Sequence, residues 1–314
     1  MTINQKYLSK LAGKLFDDEE TRLAFTSALN NGNSNRQAVI WINQREQSAT
    51  FKTEGQSAFF EFVDLLSGNE RVGNNPLHES GGIYCLDNSS VFAASVMRSI
   101  DTKVNSALDV CAAPGGKSML AWKFLSPSLL VANETISKRI PMLISNLKRC
   151  NLKNSAVACL DSDLLAKKYP DVFDLVLVDA PCSGQSLYAK GEDAPGALNP
   201  ATINSNSNRQ KRIVANSVAC LAPGGHLVYM TCTYSIEENE KVMNWLLKTF
   251  PHMQPVSVEH LKSFQSPHCD FPAYRLYPQQ GQGSGAFSVI LKDTRTGEAN
   301  EIDPENEKFA WKNL

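Results

Sequence analysis

The stretch A-L-D-V-C-A-A-P-G-G-K-S, residues 107–118, passes from an apolar run through two glycines into a helical pattern. A strand that ends in small residues and opens a helix through Gly-Gly lets backbone N–H groups approach a ligand at the carboxyl edge of a sheet. The closing Gly116-Lys117-Ser118 imitates a phosphate loop, but that pattern needs glycine where this chain has Cys111. A dinucleotide fingerprint G-x-G-x-x-G is absent as well. Two readings stay open. One is a small-ligand bend preceded by Asp109, a carboxylate able to meet a ligand amine; the other is a plain strand-to-helix turn.

Outward from the bend, strands and helices alternate: strand over 106–112, helix over 116–125, strand over 129–133, helix over 137–150, then strands over 156–160 and 173–178. That rhythm predicts a mostly parallel sheet with helices on both faces, and ligands outside the carboxyl ends of its strands. Those ends carry Glu134, placed to accept both hydroxyls of a ribose, then Asp161 with Asp163, then Asp179 in D-A-P-C-S-G. Beyond a polar loop over 185–208 and a helix over 209–221, Pro223-Gly224-Gly225 leads into a strand over 226–230 that ends in T-C-T-Y-S. A lone carboxylate at a strand end is commonly a helix cap. Three in succession behind a glycine bend favour a nucleoside-bearing ligand.

The chain has eight cysteines and no C-x-x-C pair, which argues against a zinc site or a disulfide framework, so no metal is expected. If the fourth and fifth strands are neighbours, their chains lie ~4.8 Å apart and Cys182 and Cys232 end on one edge. One planar ring then meets both thiols, and the position beside Asp179 favours a nucleophile. Cys85, Cys111, Cys150, Cys159, Cys220 and Cys269 read as small buried apolar residues.

At 314 residues the chain has room for one large α/β domain and a smaller companion. The net charge of −1 announces no nucleic-acid binder, so such contacts must use local patches. Candidates are Lys6, Lys10 and Lys14; Lys138, Arg139, Lys148, Arg149 and Lys153; and Arg209, Lys211 and Arg212. The first residues lack an apolar signal core and no run approaches the ~18 apolar residues of a membrane span, so a cytoplasmic protein without a membrane partner is expected. Residues 1–80 read as a small α+β domain, an RNA-binding unit or a packing cap, with helices over 7–16, 20–29 and 58–66 and a strand over 38–43. The main domain is expected over 81–293, and residues 294–314 read as a polar, acidic tail.

D-V-C-A-A-P-G-G-K (109–117), D-A-P-C-S-G (179–184) and L-V-Y-M-T-C-T (227–233) together resemble the Sun (Fmu, NSUN) family of RNA cytosine-5 methyltransferases. V-A-N-E (131–134), P-G-G-H-L-V-Y (223–229), E-E-N-E (237–240) and a weaker G-I-Y-C-L-D-N-S-S (82–90) extend the likeness over about residues 80–293. It implies a class I, Rossmann-like, S-adenosylmethionine-dependent methyltransferase with a mixed seven-stranded sheet of order 3-2-1-4-5-7-6. It also implies an RNA partner, ribosomal or transfer RNA, and a monomer is expected.

Carried onto these residues, the resemblance implies that Cys111, Ala112, Ala113, Pro114, Gly115, Gly116 and Lys117 wrap the methionine and ribose part of the cofactor. Glu134 would hold the ribose hydroxyls, Asp161 would face the adenine, and Asp179 would contact the cofactor region and the target base. Cys232 would be the nucleophile and Cys182 would assist product release. C5 of cytosine is a poor nucleophile, so a thiolate must first add to C6, and covalent catalysis of this kind splits one hard step into two. A free thiol is mostly protonated near pH 7, so a cation helps, and Lys117 is the candidate. The target base must leave its stack, and Tyr188 in the loop over 185–208 either stacks on it or stands exposed. The chain departs from the family pattern at Gln185-Ser186, usually Glu-Gly, and at Gly285-Ala286-Phe287, usually Glu-Gly-Phe-Phe; these changes bear on the RNA target. The alternatives are a methyltransferase acting on another base or on DNA, and a catalytically silent RNA-binding or ribosome-assembly factor.

Overall fold

The computed structural model of the protein describes residues 3–46, 49–68 and 70–314. Two helices open the chain. The side chain of Asn4 accepts the Tyr7 N–H ahead of α1 (Gln5–Leu15), and Asp18 accepts the Thr21 N–H at 2.7 Å ahead of α2 (Glu19–Asn31). Each cap satisfies a donor that the first helical turn leaves free, typically worth ~1 kcal/mol.

A small antiparallel sheet follows, in the order β2-β3-β1-β4, from β1 (Gln37–Trp41), β2 (Thr53–Gln56), β3 (Val63–Leu66) and β4 (Ile83–Asp87). A short α3 (Pro76–Glu79) sits between β3 and β4. The helix expected over 58–66 is instead a turn followed by β3. Apolar residues at 59, 60, 62, 63, 65 and 66 fit either period, and pairing of Val63 with Ile40 decides for strand. The segment over 83–87 pairs with β1, Cys85 opposite Val39, so the small sheet runs past residue 80.

Asp87 caps α4 (Asn88–Ala94) by accepting the Ser89 N–H. The main domain then alternates as β5 (Ser106–Asp109), α5 (Gly116–Leu125), β6 (Leu129–Asn133), α6 (Ile140–Arg149), β7 (Ser155–Ala158), α7 (Ser162–Lys168) and β8 (Phe173–Asp179). After α8 (Ser186–Ala189), α9 (Pro200–Cys220), β9 (Leu221–Thr231) and α10 (Glu240–Thr249), the strands β10 (Met253–Pro255), β11 (Tyr274–Leu276), β12 (Ala286–Asp293) and β13 (Trp311–Asn313) close the sheet. Helix α9 starts nine residues ahead of the expected 209, with Asn199 capping it and Pro200 as its first residue. That Asn-Pro start signal outweighs the poor helix propensity of the Asn and Ser that follow.

The strand order is β10-β12-β9-β8-β5-β6-β7-β13, which contains the expected 3-2-1-4-5-7-6. β5 to β9 run parallel, and β12 turns antiparallel against β9. Alternate residues feed two cores: Ala107, Leu130, Leu175 and Val228 face one, while Leu108, Val131, Val176 and Leu227 face the other. Covering on both faces explains why these strands read as unbroken apolar runs. Two strands exceed the expected seven. β11 pairs with β12, and the polar tail returns as β13, antiparallel to β7, covering an edge that would otherwise be open. Among the described residues no helix is long and apolar enough to cross a membrane.

Candidate active site

Strand β5 delivers Asp109 to the bend, but its side chain is fully buried. Its Oδ2 accepts the Ser118 hydroxyl at 2.6 Å and its Oδ1 the Cys111 N–H at 3.3 Å. Burial, with no cation bonded to it, pushes the carboxyl up to about 7. Asp109 therefore braces the bend from inside; the ligand amine expected of it has no access. Gly115 sits at φ 114°, a conformation that favours glycine, and its N–H donates to the Ala112 carbonyl at 2.7 Å. From α6 and the residue before it, Asn146 donates to the Pro114 carbonyl at 2.9 Å and the Arg139 guanidinium to the Ala113 carbonyl.

Glu134 directly follows the adjacent strand β6 and is buried, with Oε1 accepting the Ile136 N–H at 2.9 Å. Its Oε2 is matched by the Arg139 guanidinium at 2.8 Å but lacks an aligned hydrogen bond. Asp161, beyond β7, caps α7 through the Asp163 N–H and remains half-exposed. The three strand-end acids stand on neighbouring strands, in the order 161, 134, 109.

β8 and β9 are neighbours in parallel register, Asp179 opposite Met230, so both cysteine loops leave the same edge. The Cys182 and Cys232 sulfurs lie 3.3 Å apart, and Cys232 is open to the cleft. Lys117, from the first turn of α5, donates to Asp179 Oδ2 at 2.8 Å and lies 3.5 Å from the Ser90 hydroxyl. Lys117, Ser90, Ser186, Lys190 and Cys232 line one cleft. The hydrogen bond with Cys182 lowers Cys232 below the ordinary thiol value; burial and Asp179 oppose this, and Lys117 adds to it. That bond, together with burial, pushes Cys182 well up. Burial alone would lower Lys117, but Asp179 holds it above its ordinary value, so it is a permanent cation.

The structure thus brings Lys117, Asp179, Cys182 and Cys232 together and sets Glu134 and Asp161 on the adjoining strand ends. Tyr188 neither stacks nor stands exposed: it is buried with α1 and α2 and donates to the Ala194 carbonyl at 2.6 Å. Of the six cysteines read as buried, Cys150 and Cys220 are, Cys85, Cys111 and Cys269 are only partly buried, and Cys159 is exposed. Sequence reading missed Asp87 and Lys190, an ion pair at 3.2 Å on the cleft wall. The weak D-N-S-S likeness was the available signal for Asp87; nothing singled out Lys190.

The family model described as 16S rRNA methyltransferase RsmB/F matches residues 100–292, more than half of the chain. The chain belongs to that family. Ribosomal RNA small subunit methyltransferase F of Vibrio parahaemolyticus is 32% identical over 245 residues, 76% of this chain and 51% of the relative. The Vibrio campbellii protein of that name matches equally, 32% over 245 residues, with the same shares of the two chains. The chain spans about half the length of these curated relatives. Among solved structures, a methyltransferase homolog protein from Pyrococcus horikoshii aligns with TM-score 0.74 at 22% identity, covering 92% of this chain and 98% of that one. NSun6 from Pyrococcus horikoshii with SFG aligns with TM-score 0.78 at 17% identity, covering 93% and 98%. These likenesses show the fold, a class I methyltransferase sheet with a small N-terminal domain. In this RsmB/F chain, the two cysteine loops and the glycine bend both fall inside the matched residues.

Proposed function

We propose that this RsmB/F family member methylates C5 of a cytidine in RNA, ribosomal RNA in the first place, using S-adenosylmethionine. The observation that carries this reading is the pair of thiols 3.3 Å apart beside the Lys117–Asp179 ion pair. The residues present fit the cofactor. A side chain at Gly116 would crowd the Tyr84 ring at 3.3 Å, so glycine there lets the bend from Cys111 to Lys117 pack on β4. Glu134 Oε2 is a buried acceptor without an aligned donor, as a ribose-binding carboxylate requires, and Asp161 stands one strand further along for the base. When bound there, the cofactor supplies an electrophilic methyl group.

The chain's own residues handle the cytosine. Cys232, as thiolate, adds to C6, and the electron pair of the C5–C6 bond moves onto C5, making it nucleophilic. Asp179, held by Lys117, is placed to accept a hydrogen bond from the exocyclic amine of the base. Once C5 is methylated, its hydrogen must leave as a proton before the C6–S bond can break. A water ordered by the Cys182 thiol takes that proton and passes it to solvent. A tritiated-methyl transfer assay on total RNA, with Cys232→Ala as control, tests the reading; incorporation surviving in that variant would refute the role of Cys232.

A further inference from the structure

Beneath the two thiols lies a titratable group that the reaction above does not use. Glu238 is fully buried, and its Oε2 accepts the backbone N–H of Ser183 at 2.8 Å and the Gln210 side chain at 3.1 Å. Its Oε1 accepts the Ser183 hydroxyl at 2.5 Å, and that hydroxyl lies 2.8 Å from the hydroxyl of Thr233. Ser183 directly follows Cys182, and Thr233 directly follows Cys232. A single buried carboxylate thus ends a hydrogen-bonded chain, Thr233 to Ser183 to Glu238, that ties the two cysteine loops together. Burial raises the Glu238 carboxyl above its ordinary value, while the Ser183, Gln210 and Thr233 donors favour its ionised form and oppose that rise.

We propose that Glu238 is a positioning residue for the thiol pair: it fixes the spacing of the two loops and its charge, on the Cys182 side, keeps Cys182 protonated so that Cys232 is the sulfur that ionises. A negative charge disfavours a second one nearby, and Glu238 accepts two short hydrogen bonds from Ser183, next to Cys182, at 2.8 and 2.5 Å, but a single long one at 3.5 Å from Thr233, next to Cys232. The electrostatics agree, since Glu238 contributes to the rise at Cys182. The other charges facing the pair are Lys117, which favours thiolate, and Asp179, which opposes it.

This inference rests on reading the two cysteines as the reacting thiols, but the test of its charge assignment needs neither RNA nor methyl donor. The whole protein and its Glu238→Gln variant are alkylated with iodoacetamide over a pH series, and labelling at each cysteine is measured by mass spectrometry. The wild type should label mainly at Cys232. In Glu238→Gln the share at Cys182 should rise severalfold, with its midpoint moved towards acid by roughly one pH unit. An unchanged ratio and midpoint would overturn the charge assignment. Thr233→Val keeps the charge and cuts the lateral bond, and it serves also if Glu238→Gln does not fold. It should lower kcat at least about tenfold, leave KM for both substrates within about twofold, and leave the alkylation midpoints unchanged. Wild-type kcat in that variant would overturn the positional role.

Discussion

Cys182 and Cys232 present sulfurs 3.3 Å apart, although 50 residues separate them in the chain. Parallel pairing of β8 with β9 places both at one sheet edge, where their contact lowers Cys232 and raises Cys182. Cys232 is therefore the better thiolate.

That asymmetry predicts which variant is trapped. With Cys182→Ala the C6 adduct forms but the C5 proton is lost slowly, so a covalent protein–RNA band should accumulate on denaturing gels. Cys232→Ala should give no band. The reverse pattern would exchange the two roles.

Lys117 predicts a pH effect. A cation favours thiolate, so Lys117→Met should move Cys232 up, against the lowering that the Cys182 bond still provides. The acid limb of kcat/KM then shifts towards alkaline pH. Loss should be about 10- to 100-fold near pH 6.5 and smaller near pH 9. Equal loss at both values would assign Lys117 to holding Asp179 rather than to thiolate formation.

The motifs around Asp109, Asp179 and Cys232 were legible because buried parallel strands leave continuous apolar runs whose ends are punctuated by glycine and proline. What stayed hidden depended on distant partners. Residues 58–66 carry an apolar pattern that fits helix and strand alike, and only pairing with β1 settles it. Tyr188 became buried because α1 and α2 pack over its loop, a contact across more than 150 residues of sequence. The tail hid its strand for the same reason: Trp311 has no local signal for pairing with Val157.

The buried ion pair behind the T-C-T-Y segment makes a stability prediction. Arg275 donates from Nε to Glu240 Oε1 at 2.6 Å and from Nη1 to the Tyr234 carbonyl at 3.0 Å, and both side chains are essentially inaccessible. Removing one partner strands the other charge, at a cost of about 3–5 kcal/mol. Glu240→Ala should therefore lower the urea midpoint sharply. Arg275→Met with Glu240→Leu should recover most of the loss, which a thermal or urea melt of the three proteins will show.

Asp109 makes a prediction with a definite pH sign. Its folded carboxyl titrates at about 7, whereas an unfolded one titrates near 3.9. Between about pH 4 and pH 7 the folded protein holds a proton that the unfolded chain releases, so this group's contribution falls as pH rises through that window. A side-chain amide in its place would carry no such proton. With its amide nitrogen towards the Ser118 hydroxyl and its oxygen towards the Cys111 N–H, the Asp109→Asn variant keeps both contacts and removes the buried charge. Relative to wild type, the variant should therefore gain about 2–4 kcal/mol between pH 4 and pH 8. Urea melts of both proteins at the two pH values measure this, and a difference that stays constant with pH would show that Asp109 is ionised in the fold.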